Sequence, residues 1–135
     1  MAGYSKRTLA EKLGIKQNAQ ITILDAPANY KNTLGALPAG VTVKRQLDEA
    51  SDWIQYFTSS QNSLRNHFPE LKGRLSSGGM LWISWPKGSS GLPTDLNENI
   101  VRKIGLENGL VDVKVCAIDD QWSGLKFVYR ITDRK

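Results

Sequence analysis

Three apolar runs of the chain, AQITIL, WIQYFTS and MLWISW, each finish on residues able to recognise a small molecule. The first is followed by Asp25, Ala26, Pro27 and Tyr30, the second ends in Thr58 and Ser59, and the third ends in Ser84, Trp85 and then Pro86 and Lys87. If the runs are strands lying side by side in one direction, these residues meet at a single mouth. There they offer a carboxylate, hydroxyls, aromatic faces and one cation, a set suited to a small polar or anionic ligand. The alternative is structural: Asp25 caps the turn at Pro27, Ser59 caps a helix, and Trp85 packs at the edge of the core.

Catalytic ingredients are sparse. The one histidine, His67, falls beside Phe68 off the apolar stripe of a helix, which reads as a solvated surface position. The one cysteine, Cys116, lies inside a strand pattern with no histidine near it in sequence, so an inert thiol is expected. No Ser/His/Asp set and no Cys/His metal cluster can be assembled, and no catalytic or metal-ligating residue is assigned. The loop WPKGSSGLPTDL can expose backbone N–H groups to an anion beside Lys87, although it lacks the order of a phosphate-binding Walker loop. Trp122, in the later link DDQWS, either covers a pocket or anchors a turn.

The two ends of the chain, residues 1–16 and 130–135, account for the whole formal net charge of +5. Between them bases and acids balance, which argues against a broad nucleic-acid groove. No run approaches the roughly 18 apolar residues of a membrane span, and the first residues carry no apolar segment of the signal-peptide kind. A cytoplasmic protein is expected, monomer or homodimer, whose partner is a small molecule or another protein.

The elements that position these residues follow from periodicity. Ser5 is the expected cap of a short helix carrying Leu9 and Leu13 and stopped by Gly14, within an N-terminal arm over residues 1–19. AQITIL is a strand, Pro27 opens a brief helical turn through Leu34 to Gly35, and VTVKR is a second strand. The polar connector LDEASD precedes WIQYFTS, a central strand. Ser59 or Ser60 caps the next helix, whose Leu64, Phe68, Leu71 and Leu75 form one face, with Pro69 inside it and SSGG ending it. MLWISW is a strand buried on both faces. Asp95 and Glu98 form a capping box for a helix with Leu96, Ile100 and Ile104 inward and Gly109 as its stop. VDVKVCAI and GLKFVYRI then alternate as an antiparallel hairpin. Strands alternating with helices imply an α/β fold, here a single domain over residues 1–135: a three-layer sandwich around a mostly parallel sheet with a C-terminal antiparallel hairpin.

With ILD as the end of the first strand, SDWIQYF as a fourth, LKGRLSSGGMLWISW as the helix and turn into a fifth, and the closing hairpin, the chain resembles class I S-adenosylmethionine-dependent methyltransferases. The resemblance implies a reduced Rossmann-like fold without their third strand. Ala26, Pro27 and Ala28 stand where that family has a Gly-x-Gly turn, and Lys44 and Arg45 stand where it often has a carboxylate for the ribose, Asp48 following in the connector. Over nearly its whole length the chain looks closer to a family of small bacterial proteins of unknown function, through AEKLGIK, LDAP, GGMLWISWPKGSSGLPTDL and LVDVKVCAIDDQWSGLKFVYR. That resemblance implies no particular activity. The expectation is a non-catalytic binding or protein-interaction domain without a cofactor; the alternative is a small transferase using S-adenosylmethionine or a nucleotide through an unusual loop.

Overall fold

The computed structural model describes residues 7–134. A six-stranded sheet runs in the order β2-β1-β3-β4-β6-β5. Its strands are β1 (Gln20–Leu24), β2 (Thr42–Lys44), β3 (Ser51–Phe57), β4 (Leu75–Pro86), β5 (Leu110–Ala117) and β6 (Trp122–Tyr129). The first four are parallel, β6 is antiparallel to β4, and β5 is antiparallel to β6. This is the mostly parallel sheet with its closing hairpin that the alternation of elements predicts, and it is Rossmann-like, as the resemblance implies.

Helices cover both faces, as a parallel sheet requires. On one face α1 (Leu9–Lys12) and α2 (Tyr30–Leu34) bury Ala10, Leu13, Tyr30 and Leu34 against Ile21, Ile23 and neighbouring strand residues. On the other, α3 (Gln61–Arg74) and α4 (Glu98–Glu107) bury Leu64, Phe68, Leu71, Val101 and Ile104. The α1 helix is short, but its C-terminal end is bonded to the sheet. The indole N–H groups of Trp53 and Trp82 both donate to the Leu13 carbonyl, at 2.8 and 2.9 Å. Ser5 lies outside the described residues; α1 is capped by Thr8, whose hydroxyl accepts from Glu11 N while the Glu11 carboxylate accepts from Thr8 N.

Several expected boundaries move. SSGG does not end a helix: Leu75 already opens β4, and three additional β4 residues are taken up between the pairings Ser51↔Leu75 and Trp53↔Met80. Gly79 is required there because a Cβ on it would lie 2.8 Å from the Asp52 carbonyl oxygen. The polar stretch before β3 is correspondingly shorter, since Ser51 and Asp52 are already strand. Asp95 is not the cap of α4. Asn97 takes that place, accepting from Ile100 N at 2.9 Å. In the closing hairpin an extra residue, Val113, lies between the pairings Asp112↔Phe127 and Lys114↔Lys126. This bulge breaks the alternation and leaves Val113 and Val115 exposed on the edge strand, with Cys116 and Ile118 buried. Among the described residues no helix is long and apolar enough to cross a membrane.

Candidate functional site

The turn after β1 has no glycine. The chain reverses there because Asp25 adopts φ +58°, a left-handed conformation that aspartate tolerates better than most side chains. Pro27 then directs the backbone into α2, its carbonyl accepting from Tyr30 N at 3.0 Å. Asp25 is exposed, Ala26 and Pro27 are half-buried, and Tyr30 is buried.

Tyr30 connects this turn to the centre of the sheet. Its hydroxyl donates to Gln55 Oε1 at 2.6 Å, and Gln55 Nε2 donates to Ser84 Oγ at 3.1 Å. Gln55 and Ser84 are completely buried, so the chain from helix to β3 to β4 consists of polar groups satisfied by one another. Burial in this setting pushes the Tyr30 phenol well above its ordinary pKa. The Tyr30 ring packs edge-on against Phe57, at 4.7 Å between centroids, and Phe57 packs edge-on against Trp122 at 5.2 Å. Trp122 is thus an anchor in an aromatic row that seals this end of the sheet.

The β3 and β4 ends are occupied by the protein itself. Thr58 is buried, its N–H donates to the Ser84 carbonyl, and its hydroxyl accepts from Ser60 N at 3.2 Å. The Ser59 carbonyl accepts from the Thr94 hydroxyl at 2.8 Å and from Asp95 N at 3.3 Å. Asp95 Oδ1 in turn accepts from Gln61 N, the first N–H of α3, at 2.8 Å. The loop after β4 therefore folds back over the end of β3. Trp85 belongs to the core on the α3/α4 side, Pro86 is buried, and half-buried Lys87 donates its N–H to the Gln121 carbonyl at 2.8 Å.

Two openings flank these closed ends. On the α2 side of the sheet lies a groove of about 460 Å3, floored by Ile23 and Val43 and walled by Ala26, Pro27, Leu34 and Leu37. Lys31 and Arg45 also line it. On the opposite side a smaller cleft of about 270 Å3 is lined by Asp25, Leu47, Tyr56, His67 and Glu70 among others. There His67 Nδ1 lies 2.8 Å from the Ser63 carbonyl and 3.2 Å from Tyr56 Oη. A carbonyl only accepts, so in this contact the ring N–H at Nδ1 is the donor. Burial, with Asp25 nearby as a lesser cause, raises the pKa of Tyr56.

The ten residues singled out in sequence all lie at one end of the parallel strands, but they do not share one cavity. Ala26, Pro27 and Tyr30 line the larger groove, and Asp25 lines the smaller cleft. Sequence reasoning missed Gln55, which looked like one more residue of a buried strand, and it missed the partnership of His67 with Tyr56. It also passed over Leu34, Leu37 and Val43 as lining residues; the only signal for this side was the Lys44, Arg45 pair at the end of β2. Lys44 holds Asp48 and Glu49, each at 2.7 Å, so Asp48 is engaged in pinning the connector. Arg45 makes no ion pair within 4.0 Å among the described residues. No group of His, Cys, Asp and Glu among the described residues is arranged to hold a metal ion.

No family model matches this chain, and neither does any curated protein. Solved structures share its fold. A TehB-like S-adenosylmethionine-dependent methyltransferase from Corynebacterium glutamicum matches with a TM-score of 0.59 at 11% identity, over 90% of this chain and 85% of that one. An S-adenosylmethionine-dependent methyltransferase from Aquifex aeolicus matches with a TM-score of 0.56 at 13% identity, over 88% and 86%. Magnesium protoporphyrin IX methyltransferase from Synechocystis, with S-adenosylmethionine bound, matches with a TM-score of 0.55 at 12% identity, over 90% and 74%. The fold is Rossmann-like and methyltransferase-like, and at these identities the likeness speaks to fold alone.

Proposed function

We propose that this protein is a ligand-binding domain on a reduced methyltransferase-like scaffold, one that holds its ligand without transferring a methyl group. The observation that carries this reading is the closure of the β3 and β4 ends by Thr58, Ser84, Trp85 and the loop through Asp95, which leaves the groove beside α2 as the larger opening. At about 460 Å3 the groove falls within the range of small-molecule sites, about 300–1,000 Å3. The turn after β1 is built from Asp25, Ala26 and Pro27, each carrying the Cβ that a glycine turn lacks.

Thermal unfolding of the purified protein with S-adenosylmethionine, S-adenosylhomocysteine, ATP and NAD in turn tests the reading. A ligand at 100 times its dissociation constant adds about 2.7 kcal/mol to stability, a shift easily read for a chain of this size. None of the four is expected to raise the midpoint; a rise with either adenosyl sulfur compound, followed by methyl transfer from S-adenosylmethionine to any acceptor, would overturn the proposal. The second reading, a small S-adenosylmethionine-dependent transferase in which Asp25 orients the cofactor and Lys87 or Trp85 meets the acceptor, draws on the fold likeness. Methyl transfer lost on Asp25→Ala is the result that would establish it.

A further inference from the structure

We infer that the groove beside α2 takes an amphipathic anion, a molecule with an apolar body and a single carboxylate, sulfonate or phosphate head. The inference rests on the binding-domain reading above and specifies its ligand. The groove is apolar along its length: Ile23 and Val43 supply the sheet floor, Leu34 and Leu37 the far wall, and Pro27 with Ala26 the near one. Such a surface gains from burying hydrocarbon or an aromatic ring and offers little to a polar sugar.

Charge selects the head group. Among the described residues, the only formally charged side chains lining the groove are Lys31, on α2, and Arg45, just past β2, and no carboxylate lines it. Neither cation makes an ion pair within 4.0 Å among the described residues, and both residues are exposed. The acids nearest in sequence are committed elsewhere. Asp48 and Glu49 are held by Lys44, and Asp25 lines the cleft on the opposite side. An anion therefore meets two cations with no competing carboxylate, and the guanidinium of Arg45 can bind an oxyanion through two parallel hydrogen bonds. A sulfonium or ammonium head would meet like charge. Among the described residues β2, three residues long, is the edge strand on this side, with no further strand paired beyond it.

Isothermal titration calorimetry with decanoate, decan-1-ol and decylammonium, kept below their aggregation thresholds, tests the inference. The expected result is decanoate binding about tenfold or more tighter than the other two, a difference of about 1.4 kcal/mol. In K31Q/R45Q that preference should vanish while decanol binding persists. Ala28→Trp, which places a large ring at the groove mouth, should abolish decanoate binding. Equal affinity for the three probes, a preference that survives K31Q/R45Q, or decanoate binding undisturbed by Ala28→Trp would each overturn the anion inference. Those results leave the binding-domain reading standing; failure of all three probes to bind would overturn the groove as a ligand site altogether.

Discussion

Tyr30 is where the turn after β1, the buried Gln55 and the wall of the groove meet. Removing its hydroxyl in Tyr30→Phe leaves the Gln55 carbonyl oxygen buried without its donor, and a loss of about 1–3 kcal/mol at neutral pH is expected. The pH dependence has a definite sign. Burial holds the folded-state pKa of Tyr30 above the value of roughly 10 for a free tyrosine. As pH rises the unfolded chain therefore loses this proton first. The contribution is full below about pH 10 and declines above it. Urea unfolding across that range should show Tyr30→Phe less stable at pH 7 but with a shallower alkaline decline, part of which remains because Tyr56 and Tyr129 are also raised. An unchanged alkaline slope would contradict the assigned environment. At this scale the sequence was only partly legible. LDAPANY announced a turn without glycine, but which residue takes the positive φ, and that a strand glutamine reaches Tyr30, depend on side chains brought together from positions 25 residues apart.

Periodicity made most elements legible. Leu64, Phe68 and Leu71 do form the buried stripe of α3, and Leu75, expected on the same face, joins the same cluster as the first residue of β4. Capping was harder, because a short-range motif competes with a long-range partner. Asp95 and Glu98 have capping-box spacing, yet Asp95 accepts from Gln61 N, 34 residues earlier, and α4 is capped by Asn97. Asp95→Ala should accordingly cost about 1 kcal/mol and speed amide exchange at the start of α3, residues 61–64, without affecting the first turn of α4. Exchange increased at residues 98–101 instead would restore the local motif. The Ser-Ser-Gly-Gly run failed as a turn signal for a related reason: composition cannot distinguish a turn from a strand in which one glycine, here Gly79, admits a neighbouring backbone.

Across the whole molecule, the sheet keeps the order and closing hairpin of the methyltransferase fold while ending at β2 on one side. Residues 45–50 lead from β2 to β3 with no helix or strand between them. That omission is what the resemblance implied; its consequence, an open apolar face between β2 and α2 with Lys31 and Arg45 on it, was not visible until the elements were assembled. The central claim, that ligand is held in this groove while the strand ends stay closed, is tested most directly by mapping backbone amide NMR shifts during parallel titrations with decanoate and S-adenosylmethionine. The expected result is decanoate perturbing residues 26–37 and 43–45, with S-adenosylmethionine leaving the spectrum unchanged. Shifts induced by S-adenosylmethionine at Asp25, Thr58, Ser84 and Lys87, with the groove silent towards decanoate, would contradict it and restore the strand-end mouth as the working site.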